Sequence, residues 1–168
     1  ANLGRYILSG YDSTNTEKLF VIDAATGGIL SQTNLSLGNG QYLNELEFNN
    51  EDNKLYGIYR DNNLSLMAIA RVDLLSGQIE VLEPLPNAYA FIPGGSVFNQ
   101  ASQRFAFFHL NSANQNRMLV YDIDDSTIVS NVAIPGTLAE LEVDNSSYAQ
   151  LKYGIVSIPE RNNSSTFE

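Results

Sequence analysis

Two pairs of alternating carboxylates are the densest chemistry in this chain. Glu45 and Glu47 lie in Asn44-Glu45-Leu46-Glu47-Phe48, and Glu140 and Glu142 lie in Ala139-Glu140-Leu141-Glu142-Val143. Successive side chains of a strand point to opposite faces, so each pair is expected on one face, with Leu46, Phe48 and Leu141 on the other. Converging carboxylate oxygens suit a hard cation such as calcium, to which Asn44 and Asn49 would add neutral oxygens. The ordinary reading is a solvated strand face, since no dense ligand motif accompanies the pairs. Calcium is the one cofactor these residues suggest. Asp122-Ile123-Asp124-Asp125 lacks the glycine and distal glutamate of a helix-loop-helix calcium loop and reads as a turn.

His109 is the single histidine, which excludes a multi-histidine metal site. Its ordinary pKa would let it serve as a general base beside Ser112. No Gly-x-Ser-x-Gly elbow and no third orienting group accompany it, so packing at a strand end is the expected role and no residue is assigned to catalysis. Tyr89 and Phe91 stand among Pro86, Pro93 and Gly94, on a segment expected to be a loop entering a strand. There they would either contact a sugar or peptide or anchor the loop.

The elements that must position these residues announce themselves by repetition. Phe20-Val21-Ile22-Asp23 precedes a Thr-Gly-Gly turn, Ala70-Arg71-Val72-Asp73 precedes Ser-Gly, and Val120-Tyr121-Asp122 is followed by Asp-Asp-Ser after Ile123. The aspartates are spaced 50 and 49 residues apart, a period that suits one four-stranded propeller blade per copy. These aspartates are expected to cap turn amides. The second copy reads as strands 44–48, 55–59, 65–73 and 78–82, and the third as 94–98, 104–108, 118–122 and 127–134. The first copy, with strands 5–8, 18–23 and 28–35, lacks an innermost strand. A fourth opens with 139–143 and 151–155 and then stops. The expected domain is 1–160, in units of 1–40, 41–88, 89–136 and 137–160, followed by a polar tail at 161–168.

A strand-closing aspartate, a small Thr/Ser-Gly turn and a Val/Ile-rich strand resemble the YVTN-type repeats of surface and periplasmic seven-bladed propellers. The resemblance implies an all-β ring of blades, often with one blade shared between the two ends of the chain. About three and a half blades fall short of such a ring, so the chain is expected to be a partial propeller completed by a second copy or by a longer array. A β-sandwich or open sheet is the alternative, because short strands at regular spacing announce those folds as well.

The 168 residues carry 19 acidic and 9 basic side chains, a formal charge of −10, with Lys and Arg scattered. Such a chain repels phosphate backbones, which argues against nucleic acid. No apolar run approaches the roughly 18 residues of a membrane helix. The absence of cysteine excludes disulfides, thiolate metal sites and cysteine nucleophiles. The resulting expectation is a non-enzymatic module that binds protein or glycan, self-associates or completes a larger propeller, and works outside the cytoplasm, at the cell surface or in the periplasm. The alternative is a calcium-dependent hydrolase or lactonase-like propeller.

Overall fold

Short antiparallel hairpins build the whole described chain. The computed structural model describes residues 4–14, 16–136, 140–143 and 153–156, and of 140, 142, 143 and 153–156 the backbone alone. Blade 1 contains β1 (Arg5–Tyr11), β2 (Glu17–Asp23) and β3 (Ile29–Asn34). Blade 2 contains β4 (Gln41–Asn49), β5 (Lys54–Asp61), β6 (Leu66–Asp73) and β7 (Ile79–Pro84). Blade 3 contains β8 (Ala88–Asn99), β9 (Arg104–Asn111), β10 (Asn116–Asp122) and β11 (Thr127–Ala133). A last pair, β12 (Glu140–Val143) and β13 (Tyr153–Val156), follows. Each strand pairs with its sequence neighbour, giving four meander sheets. Among the described residues no strand pairs with β1 on the side where β4 covers β5 in blade 2. The chain falls into two compact units, Ala1–Pro86 and Asn87–Glu168, each described by itself.

The repeated aspartates are turn caps. Asp23 Oδ1 accepts the amides of Ala25 and Thr26 at 2.9 and 2.8 Å, and Asp73 Oδ1 those of Leu75 and Ser76 at 3.1 and 2.9 Å. Asp122 Oδ1 accepts the Asp125 amide at 3.2 Å. The same device closes the other hairpins, at Asp12, Asn49, Asp61, Asn99 and Asn111. A short acceptor side chain bonds the backbone two or three residues on and fixes the reversal. Four residues after the cap the chain turns left-handed: Gly27 (φ 70), Asn53 (φ 57), Ser65 (φ 51), Gly77 (φ 68), Gln103 (φ 51) and Ser126 (φ 51). Ser126 thus takes up the glycine conformation that its sequence omits.

The basic residues that look scattered in sequence are in register with these caps. Arg5, Lys54 and Arg104 open β1, β5 and β9 directly across from Asp23, Asp73 and Asp122. Lys54 Nζ lies 3.6 Å from Asp73 and Arg104 Nε 3.0 Å from Asp122.

Within the first unit, blades 1 and 2 share a core. Leu43, Leu55, Tyr59, Ala68, Ala70 and Val72 of blade 2 pack with Ile7 and Leu19 of blade 1 and with Leu35 of the connection. Gly57, Ala68 and Ala70 share one face of blade 2 and keep its centre thin, so blade 1 approaches closely. The contact is clamped at the rim, where the Ser36 amide donates to the Gly77 carbonyl and Thr33 Oγ1 to the Leu74 carbonyl, both at 2.9 Å. In the second unit, Val97, Ala106, Phe108 and Val120 form a face covered by Leu141 of β12. The middle strands β5 and β9 are buried at successive residues, hence on both faces, from Leu55 to Tyr59 and from Phe105 to His109.

Candidate recognition site

The rim between blades 1 and 2 opens into a cleft of about 890 Å³. Blade 1 lends it Ile7 and Val21, from the face it turns to blade 2, together with Leu30 and Ser31 of β3. Blade 2 lends Phe48 at the end of β4, Asn50 and Asn53 from the β4–β5 turn, and Leu74 and Leu75 from the β6–β7 turn. Arg5 supplies the positive charge at its edge. Leu30 is displayed because it is the extra residue of a bulge, inserted where Val21 pairs Ser31 and Ile22 pairs Ile29, and such insertions re-aim a side chain. Leu75, on the tip of its capped turn, is 91% exposed. Apolar walls with a few amides and one cation make a site able to hold an aliphatic or aromatic group while hydrogen-bonding a polar chain.

A smaller hollow of about 220 Å³ is lined by Lys54, Arg71, Asp73 and Glu80, and its charges are compensated internally. Arg71 Nη2 meets Glu80 Oε2 at 2.6 Å, and the buried Tyr56 hydroxyl donates to Asp52 Oδ2 at 2.6 Å. Burial, followed by the bond to Asp52, raises the Tyr56 pKa well above its ordinary value, so it stays a neutral donor.

The expected carboxylate face is reorganised by a bulge. Asn44 pairs with Ile58 and Glu47 with Tyr56, leaving Glu45 and Leu46 opposite Gly57 alone. Glu45 adopts φ 54, so strict alternation does not carry Glu45 and Glu47 onto one uninterrupted face. A Cβ on Gly57 would lie 2.7 Å from the Asn44 carbonyl oxygen, so glycine is what admits this bulge. The side chains of Glu140 and Glu142 lie outside the described residues. Among the described residues no three His, Cys, Asp or Glu side chains gather as a metal site.

Tyr89 and Phe91 belong to β8, which starts at Ala88, and not to a loop before it. A bulge between Ala88 and Ala90 leaves Tyr89 exposed, while Phe91 pairs with His109. His109 sits inside β9 and is buried. Its Nε2 is 3.4 Å from Asn131 Oδ1, which also accepts Arg117 Nε at 2.7 Å. Its Nδ1 has no hydrogen-bond partner among the described residues, and burial lowers its pKa.

No protein family and no curated protein matches the sequence. Among solved structures, the chain is similar to the β-propeller domain of the Trilobed protease from Pyrococcus furiosus, described as having an open velcro topology. That match has a TM-score of 0.51 and 6% identity, over 92% of this chain and 54% of that one. A second similar structure is a dipeptidyl aminopeptidase IV homologue from Bacteroides ovatus, with a TM-score of 0.47 and 14% identity, over 85% of this chain and 25% of that one. The chain therefore spans about half of the first protein's length and a quarter of the second's. The likeness shows the fold, a partial β-propeller, and the meander pairing replaces the sandwich alternative.

Proposed function

We propose that the chain is a binding and scaffolding propeller module that recognises a protein segment or glycan in the cleft between blades 1 and 2, and that associates with further blades. The observation that carries this reading is the cleft itself, with Leu30 and Leu75 held on its rim by a bulge and a capped turn. Preformed walls lose little entropy on binding, and the Arg5, Asn50 and Asn53 side chains supply the directional contacts.

Panning a peptide library and probing a glycan array with the immobilised chain tests it. Ligands retained by the native protein should lose at least about tenfold in affinity to Leu75→Asp, a substitution at an exposed position that leaves the fold intact. Absence of any enriched ligand, or equal retention by the variant, would defeat the proposal.

A further inference from the structure

In each of the three blades a basic residue stands across from the capping aspartate, and in blade 1 that pair is not joined. Lys54 meets Asp73 at 3.6 Å and Arg104 meets Asp122 at 3.0 Å, whereas Arg5, in register with Asp23, makes no ion pair among the described residues. Asp23 is held by its own turn, since Oδ1 accepts the Ala25 and Thr26 amides and the Thr26 hydroxyl. Arg5 is exposed and lines the cleft between blades 1 and 2, and among the described lining residues it alone is charged. In the smaller hollow, by contrast, Lys54 and Arg71 are held by Asp73 and Glu80. An unmatched cation in a cleft without acidic walls, in a chain of charge −10, is a place for an anion that a ligand brings.

The surrounding walls narrow the choice of ligand. Apart from Phe48 the apolar lining is aliphatic, with Leu30 and Leu75 on the rim. A small free anion would leave that surface in water. A sugar would bring hydroxyls on most of its carbons, each needing a partner in exchange for water. The Ser31 and Asn53 side chains make no hydrogen bond among the described residues, which suits a peptide group or two and not a sugar ring. A chain terminus is captured by a nest of free backbone amides, but here Asp73 already takes those of Leu75 and Ser76, and Asn49 that of Glu51.

We infer that the cleft takes an internal acidic segment of a partner protein, in which a Leu, Ile, Val or Phe side chain adjoins an Asp or Glu. The inference rests on the recognition reading above and names its ligand. The apolar side chain enters between Leu30, Phe48 and Leu75, the adjoining carboxylate meets the Arg5 guanidinium, and Ser31 and Asn53 meet peptide groups of the segment. A guanidinium offers a carboxylate two parallel N–H donors, which a neutral amide cannot match. The overall charge of −10 opposes an acidic partner at long range. At physiological salt that field is screened over about 8 Å, so the contact itself decides which segment is held.

The test pans the full chain against a random peptide library fused at its C-terminus, so that no peptide offers a terminal carboxylate, and against a glycan array that includes sialylated and uronic acid glycans. Peptides retained by the native protein and lost to Leu75→Asp should carry Asp or Glu beside an apolar residue. Arg5→Gln should weaken them about fivefold or more. Replacing the peptide's acid by its amide should weaken native binding by the same factor and add nothing in Arg5→Gln, the signature of a direct pair. Arg5→Glu should turn the selection toward Lys or Arg, while Arg104→Gln, an equal change of charge in blade 3, should leave affinity unchanged. Selected peptides that are neutral or basic beside the apolar residue, equal retention by Arg5→Gln, or retention of glycans alone overturns the inference while the recognition reading stands. No ligand of either kind defeats both.

Discussion

Gly77→Ala should be far more damaging than Gly27→Ala, although both glycines occupy the same place in the same turn. Gly27 has φ 70 and Gly77 φ 68, each four residues after a capping aspartate. An alanine costs about 1–2 kcal/mol in either turn, because its Cβ crowds the carbonyl in a left-handed backbone. The surroundings differ. Nothing lies within 4 Å of a Cβ built on Gly27, whereas one on Gly77 would overlap the Asn34 backbone carbonyl. Backbone cannot rotate away as a side chain can, so the turn must withdraw from blade 1. That withdrawal strains the Ser36-to-Gly77 and Thr33-to-Leu74 hydrogen bonds, each 2.9 Å. Overpacking at about 1–3 kcal/mol and a hydrogen bond at about 1 kcal/mol put Gly77→Ala roughly 2–4 kcal/mol beyond Gly27→Ala. With a urea slope of about 1–3 kcal/mol/M, the two midpoints should differ by roughly 1–2 M. Urea titration followed by far-UV circular dichroism measures it. Coincident midpoints would refute the reasoning, for they would mean that the close approach of the two blades contributes nothing.

Ser126→Gly should stabilise the chain by about 0.5–1 kcal/mol, because Ser126 holds φ 51 where its equivalents are glycines; a lower thermal midpoint would contradict this. His109 should make stability fall in mild acid. Its folded pKa is lowered mainly by burial, so below the unfolded value of about 6.5 the unfolded chain binds a proton that the folded chain refuses, and stability declines as pH drops from about 7 toward the folded pKa. His109→Gln should flatten that slope. The acid loss from Asp73 and Asp122 comes separately: turn bonds lower the Asp73 pKa, and the bond from Arg104 is the largest cause at Asp122, so their contribution is complete above about pH 4 and disappears as pH falls through the lowered values. A His109→Gln profile identical to the native one between pH 7 and 5 would remove the histidine from the account. Millimolar calcium should leave the thermal midpoint unchanged, given the bulge at Glu45; an upward shift abolished by Glu47→Gln would restore a metal site on β4.

The sequence declared most of the strands because each turn is fixed locally. Asp23, Asp73 and Asp122 recur since a capped reversal needs an acceptor at that position, whatever surrounds it. What depends on register was hidden. The pairing of Arg5, Lys54 and Arg104 with those aspartates shows in sequence only once the strands are laid side by side, although the basic residues recur at 49 and 50 residues. The bulges left no mark on hydropathy either. Glu45-Leu46-Glu47 alternates as an ideal strand does, yet Glu45 turns left-handed because Gly57 opposite leaves room for it. Periodicity assumes one residue faces one residue, and a bulge breaks that count while keeping the pattern. The cleft was hidden for the opposite reason, since its residues are where the copies differ. Leu74-Leu75 stands where blade 1 has Ala24-Ala25 and blade 3 has Ile123-Asp124, all within turns of the same capped form. A turn needs none of these side chains to close, so its tip is free to vary, and at Leu75 that freedom exposes an apolar group at the mouth of a cleft.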